Sequence, residues 1–382
     1  MAAMTPARGV VLGSERVASP PKPLDPFEDS MFHDETLSDE DLESSEGESK
    51  DSASQSSPIS ASATPAAPAA EDALFLAYYK RDPHLLCHKA IYFLGMGANS
   101  AYFPFFVQWV TSPTVGLTVA QAGYVFAAAH ICTMVASPLM MRLADQSAAW
   151  RRGVLLCSIP TQIALLWVMS QCRSFWSVLV VEVLQECMSC AIWPSMDAAT
   201  QRLLEVVHGN THLYGNTRAF GAIGWGLCAW IFGAIFDQYG MDVWWYLFAG
   251  TFAPAMLLAT LVPVETRSAS RASNGELLKR VWRWEVGVVV FVVLLTAVLL
   301  QIVDIYRFPF LASLPGCTNQ LLGLSVAATA VSEAPFFFIT SWVLARMSVK
   351  WALCLVLLGY FVRYIYYSLI YDPWLTIPAE LM

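Results

Sequence analysis

Charge is scarce in this sequence: Asp, Glu, Lys and Arg make up 14% of its 382 residues, against about 25% in soluble globular domains. Histidine is scarcer still, at six. Of these, His33, His84, His88, His208 and His212 fall outside the apolar runs and only His130 falls inside one. No nucleophile–base pair and no cluster with metal-ligand spacing emerges, so an enzyme, a metal site and a bound cofactor are not expected. No basic patch interleaved with aromatics points to nucleic acid. The first residues lack an apolar run behind a basic start, so no secretory leader is expected there. Nine cysteines are scattered, and most lie in apolar stretches where a thiol packs as a small hydrophobe. Cys187 and Cys190 form a lone CxxC, read as packing. Cys172 and Cys317 fall on one predicted side of the membrane, leaving a disulfide open.

Apolar residue types make up 56% of the chain and aromatics 13%, with 14 Trp and 21 Phe. These values fit a polytopic membrane protein. The net charge of −8 is unevenly distributed. Residues 1–72 carry 15 acidic and four basic side chains, a net of −11, and the remainder nets +3. That Ser-, Pro- and Ala-rich segment buries too little surface to offset its ordering entropy and is expected to be a disordered acidic tail. Ser38-Asp39-Glu40-Asp41 and Ser44-Ser45-Glu46 suit acid-directed kinases, and Asp25-Pro26-Phe27 resembles an adaptor-binding tripeptide; the alternative is a plain solvated tail.

From residue 88 onward, apolar stretches of about 20 residues recur, each long enough to cross ~30 Å of hydrocarbon as a helix. Nine spans are predicted, at 89–111, 119–141, 153–171, 174–199, 215–237, 242–263, 286–309, 320–345 and 351–371, with a partial tenth from Pro373. Fourteen basic residues in the loops fall on one side and only Arg173 on the other. By the positive-inside rule the N-terminus is then cytoplasmic. The expected organisation is a tail over 1–72, a six-helix bundle over 73–263, a cytoplasmic loop over 264–285 and an incomplete second helix bundle over 286–382.

Ionisable residues inside the spans lead the functional argument, because each costs roughly 2.5–3.5 kcal/mol or more at the bilayer centre. Glu182, Glu186, Trp193 and Asp197 fall within about 60° of one another on an ideal helix. That stripe reads either as hydrogen bonds between helices or as a cavity wall that handles a polar solute or protons. Arg218 and Trp225, seven residues apart, share one face of the next span. A guanidinium fork beside a flat aromatic ring suits a hydroxyl-rich ring. A simple Asp197–Arg218 clamp is the alternative.

The run Pro194-x-x-Asp197, then Tyr214-Gly-x-x-Arg218-x-Phe220-Gly-x-x-Gly-Trp225, resembles the major facilitator superfamily in its lactose-permease-like, oligosaccharide/proton symporter branch. Asp145 with Arg151 and Arg152 resembles the superfamily's cytoplasmic loop after the second span, with Met141 and Gln146 replacing a glycine and an arginine of that pattern. Ser332-Glu333-Ala-Pro335, Arg363-Tyr-x-Tyr and Pro378-Ala-Glu380-Leu look like eukaryotic members. The resemblance implies an all-α, incomplete 6+6-helix fold. It implies that Asp197 and Arg218 bind sugar, that Trp225 stacks on the ring, and that Arg363 serves proton coupling. Glu182, Glu186, Glu333 and Asp304 join Arg363 as coupling candidates, and Asp145, Arg151 and Arg152 form a conformational loop. The branch's tenth-span histidine and glutamate would fall just past Met382, which leaves Arg363 expected to lack its partners. The reading is a secondary transporter of a small polar solute, sugar-like and proton-coupled; the alternative is a truncated, non-transporting or regulatory relative.

Overall fold

The computed structural model describes residues 70–209, 213–263, 284–344 and 346–381. Residues 1–69 of the tail expected over 1–72, with its kinase and adaptor motifs, and residues 264–283 of the expected 264–285 loop lie outside the described residues. Every regular element among the described residues is helical. In chain order these are α1 (Ala70–Arg81), α2 (Leu86–Asn99), α3 (Phe106–Thr111), α4 (Val119–Ala144), α5 (Ala148–Gln171), α6 (Phe175–Ser189), α7 (Ile192–His208), α8 (Tyr214–Tyr239), α9 (Trp244–Ala259), α10 (Trp284–Ala312), α11 (Asn319–Leu344), α12 (Val349–Ser368) and α13 (Thr376–Glu380).

Among the described residues, seven stretches are long and apolar enough to cross a membrane: Val119–Ala144, Ala149–Gln171, Phe175–His208, Tyr214–Tyr239, Val286–Ala312, Asn319–Ile339 and Lys350–Ser368. Their outward surfaces carry large apolar side chains, with Met134 77%, Trp176 70% and Trp351 70% exposed. A water-soluble monomer does not present such a surface on every side, whereas lipid accepts it. The chain is a multi-pass integral membrane protein. Hydroxyls start several helices: Thr118 caps α4 reciprocally with Gln121, Ser147 caps α5, and Ser174 caps α6 with Ser177.

Several elements differ from the sequence expectation, and local chemistry explains the differences. The helix α1 begins at Ala70, inside the segment expected to be unstructured, and α10 begins at Trp284, inside the expected loop. The first span is not continuous: α2 and α3 are separated by a non-helical break, Ser100–Phe105. Pro104 supplies no N–H and crowds the carbonyl four residues back. Asn99 donates to the Gly95 carbonyl at 2.8 Å and Ser100 to the Gly97 carbonyl at 2.7 Å, so polar side chains compete for backbone acceptors there. The fourth span also runs longer than expected, to His208, and breaks at Cys190–Ala191, four residues or fewer before Pro194. The sixth is the 16-residue helix α9 behind a 3-10 turn at Met241–Val243. The Pro373 segment is a 3-10 turn followed by α13.

Close backbone approach holds the bundle together. At Gly224 of α8 an added methyl would collide with the Phe93 carbonyl of α2, and at Gly323 of α11 with the Ala229 carbonyl of α8. Lipid tails are as apolar as leucine, so tight van der Waals contact must do what hydrophobic exclusion does in water. An aromatic cluster fills the interior beside the first-span break, with Tyr102, Phe105, Phe106, Trp109 and Trp244 all almost fully buried. All nine cysteines are free thiols, so Cys172 and Cys317 are not bridged.

Candidate functional site

The helices α8 and α11 pack along their length, and beside that contact lies a cavity of about 270 Å³. One wall comes from helices before residue 264, through Phe103, Arg218 and Trp225. The other comes from helices after residue 283, through Arg307, Glu333 and Arg363. Met96, Gly221, Phe337 and Tyr360 complete much of the surface. The cavity thus combines guanidinium donors with flat aromatic faces.

Arg218 sits on the first full turns of α8, directly behind the tight Tyr214-Gly215 start. Its Nε lies 3.9 Å from Asp197 Oδ1, and its guanidinium stands 5.2 Å from the centre of the Tyr92 ring. The Tyr92 hydroxyl donates to the same Asp197 oxygen at 2.6 Å and lies 3.3 Å from the Thr200 hydroxyl. Asp197 therefore stands one layer behind the cavity wall and orients Arg218, while Arg218 itself reaches the cavity. Trp225, two turns on, is half-buried, with its ring 6.2 Å from Phe103. The three residues expected to bind solute are brought together in this way: two on the wall and one supporting it.

The expected carboxylate stripe on the fourth span does not form one surface, because the break at Cys190–Ala191 divides it. Both halves bond to the first span. Glu182 is fully buried and accepts a hydrogen bond from Tyr102, just as Asp197 accepts one from Tyr92. Glu186 is placed near His130 of α4. Neither Glu182 nor Glu186 lines the cavity.

On the far wall, the expectation that Arg363 lacks its partners is overturned. Arg363 Nη2 lies 2.5 Å from Glu380 Oε2, and Arg307 Nη1 lies 2.7 Å from the same oxygen. Thr329 donates to that oxygen at 2.5 Å, and the Tyr367 hydroxyl bonds Oε1. Glu380 is 2% exposed. A lone acid five residues into a short turn-helix carried no periodic signal; only its place in the Pro378-Ala-Glu380-Leu run marked it. Glu333 lines the cavity from α11. The side chain of Asp304 lies outside the described ones.

At the basic end, Asp145 and Arg151 form an ion pair across the α4–α5 turn, and Arg152 Nη2 donates to the Thr260 carbonyl at 3.3 Å. The expected loop trio therefore ties α4 to α5 and α5 to the end of α9. Beyond it, α1 packs on α7 through Phe75, Leu203 and Leu204, with Asp72 3.1 Å from Arg202. Tyr78 Oη lies 3.1 Å from His88 Nδ1, and burial pushes the Tyr78 phenol above its ordinary range. Sequence reading missed α1 because twelve residues with a weak apolar stripe resemble the polar tail they follow. No group of His, Cys, Asp and Glu among the described residues is arranged to hold a metal ion.

Comparisons with known proteins fit this arrangement. The chain is 27% identical over 150 residues to "Major facilitator superfamily domain-containing protein 6-like protein B" of Xenopus laevis, covering 39% of this chain and 24% of that protein. It is 28% identical over 282 residues to the maltose permease of Geobacillus stearothermophilus, covering 72% of this chain and 69% of the permease. The raffinose permease of Escherichia coli is 21% identical over 295 residues, covering 68% and 64%. The chain thus spans about a quarter of the Xenopus relative's length and about two thirds of the permeases'. Its fold matches the crystal structure of the nucleoside transporter NupG with a TM-score of 0.62 at 16% identity, covering 78% of this chain and 77% of that one. A family profile described as "MFS_1 like family" matches residues 85–382, and the chain belongs to that family.

Proposed function

We propose that this chain is a secondary transporter of a small polar solute, sugar-like in chemistry, that works by alternating access with protons as the coupling ion. One observation carries the reading: a cavity of about 270 Å³ between two sets of helices, with Arg218 and Trp225 on one wall and Glu333 and Arg363 on the other. Its volume is near the lower end of the roughly 300–1,000 Å³ typical of small-molecule sites, which suits a single ring better than an oligosaccharide. Arg218 offers a planar fork to adjacent hydroxyls, Trp225 and Phe103 offer faces to the ring, and Asp197 with Tyr92 holds the fork in place. Glu182, Glu186, Glu333, Asp304 and Arg363 are the coupling groups, and the Asp145–Arg151–Arg152 loop sets the resting arrangement of the basic end. The excess of Arg and Lys in the loops at that end supports a cytoplasmic position for it and for the N-terminus. The names of the similar permeases support the solute class, and the likeness to NupG makes a nucleoside the leading competitor.

The test is exchange. The full chain, reconstituted in lipid vesicles, should swap external for internal radiolabelled solute from a panel of hexoses, maltose, raffinose and uridine. An inward proton gradient should drive net accumulation of the same solute. Absence of exchange for the whole panel, with the protein folded and inserted, ends the reading.

A further inference from the structure

The residues of the first-span break look in two directions. The Tyr102 hydroxyl donates to Glu182 of α6, and its ring lies 5.1 Å from Trp244 and 5.2 Å from Phe106. The next two residues, Phe103 and Pro104, line the cavity, and Phe103 faces Trp225. A buried carboxylate and the solute wall are therefore joined by a stretch of chain three residues long. That stretch lies between regular helices: Tyr102 and Phe103 both donate their N–H to the Asn99 carbonyl, at 3.1 and 2.9 Å, and the ladder then lapses at Pro104, which has no N–H. Its upstream end is anchored: the Gln162 side chain of α5 donates to Asn99 Oδ1 at 3.3 Å.

Glu182 is an unusual group to bury. Its side chain is fully inaccessible, Tyr102 satisfies one oxygen, and Oε1 has no hydrogen-bond partner. An ionised carboxylate in that position would leave a lone pair of a full charge uncompensated, at a cost of several kcal/mol. The titratable groups facing this cluster are Glu186 on the same helix, Tyr102 from the first span, Cys172 at the end of α5, and His130 of α4 beside Glu186. None is a permanent cation. A proton is the ligand that this surrounding accepts. When Glu182 is protonated, Oε1 becomes a donor and the Tyr102 hydroxyl meets a neutral group. When the proton leaves to solvent, Tyr102 is left as the donor to a charge.

We infer that the Ser100–Phe105 break is the mechanical link between a buried proton site at Glu182 and the wall of the solute cavity, with Tyr102 as the positioning residue that transmits it. The inference rests on the transport reading for its purpose, but not for its test. Gain or loss of the proton shifts the Tyr102 anchor, and Phe103 moves against Trp225 because the helical ladder lapses directly after it, at Pro104, which has no N–H to donate. The change reaches the solute through packing, without a change of charge on the cavity wall itself.

The test follows Phe103 directly and uses no solute. A Phe103→Cys chain in lipid vesicles is alkylated by a polar maleimide at pH values from about 5 to about 8, and the labelling of the peptide holding position 103 is measured by mass spectrometry. The alkylation rate, corrected for the thiolate fraction, should change by roughly threefold or more across this range. Adding Tyr102→Phe, which keeps the ring and removes the donor, should flatten the profile. So should Glu182→Gln, which fixes an uncharged side chain. A flat profile in the parent, or an unchanged one in either double variant that folds, overturns the inference. Should Tyr102→Phe not fold, Glu182→Gln decides. Solute exchange by the unmodified chain fails or succeeds separately, so a lost link is distinguishable from a lost transporter.

Discussion

Arg363 and Glu380, 17 residues apart in sequence, meet at 2.5 Å in the interior, where Glu380 is 2% exposed. The same carboxylate oxygen also receives Arg307 at 2.7 Å. With the Thr329 hydroxyl of α11 donating to that oxygen as well, one acid fastens four segments: α10, α11, α12 and α13.

Removing that acid should be severe. Glu380→Gln keeps the shape but leaves two guanidinium groups without their shared anion, and breaking a buried pair costs roughly 3–5 kcal/mol. The expected outcome is a fall in the melting temperature of the detergent-purified chain by several degrees. Arg307→Met and Arg363→Met combined with Glu380→Leu should recover part of that loss, since a well-packed apolar replacement avoids the desolvation of all three ions. A triple variant no better than Glu380→Gln would show that the charges themselves, and not their pairing, hold the segment.

The glycines make an equally sharp test of packing. An alanine methyl at Gly323 would overlap the Ala229 carbonyl of α8, whereas one at Gly250 meets nothing within 4 Å. Gly323→Ala should destabilise by about 1–3 kcal/mol, the ordinary cost of overpacking. Gly250→Ala should be neutral or stabilise by up to about 1 kcal/mol, because alanine is the better helix former. Melting curves of the two variants should shift in opposite directions, or only the first should shift.

How much of this was legible in the sequence depended on the kind of signal. Continuous apolar runs, flanked by Arg and Lys, placed the long helices because length and composition suffice for that. The pairing of Asp197 with Arg218 was legible because each sits in a lipid-facing run where a lone charge is costly. The breaks were not: Pro104 and Pro194 are tolerated in membrane helices, and at Pro104 whether the helix bends or is interrupted depends on Asn99, Ser100 and their acceptors. The tyrosines Tyr92 and Tyr102 were hidden for a related reason. Tyrosine counts as apolar in a hydropathy reading, yet here each hydroxyl selects a carboxylate on the fourth span.

Arg218 should not be replaceable by lysine. Its guanidinium is held between Asp197 at 3.9 Å and the Tyr92 ring at 5.2 Å, an arrangement that uses a planar group. Lysine retains the charge and loses both the fork and the stacking surface. Arg218→Lys should weaken solute binding by roughly tenfold or more, about 1.4 kcal/mol, while the melting temperature stays near that of the parent. Tyr92→Phe should give a smaller loss in the same direction, because it frees Asp197 without removing the fork. Equilibrium binding of the solute identified by exchange, measured on both variants, checks the order.

The helix α1 gives a prediction about pH. Its docking on α7 buries Phe75 to 2% exposure and sets the Tyr78 hydroxyl against His88. Phe75→Ala should cost roughly 3–5 kcal/mol of local packing and release the helix. Asp72→Asn, which removes a half-exposed ion pair with Arg202, should cost no more than about 1 kcal/mol. Because burial raises the Tyr78 phenol above its value in an undocked helix, the docked form favours the neutral group. Docking strength is then fully present below the undocked phenol's ordinary pKa of about 10 and declines as pH rises beyond it. A spin label at the exposed Leu74 position should report an immobile helix through neutral and mildly alkaline pH and rising mobility above about 10. In a Tyr78→Phe chain the alkaline release should disappear, and its persistence there would assign the transition to another group.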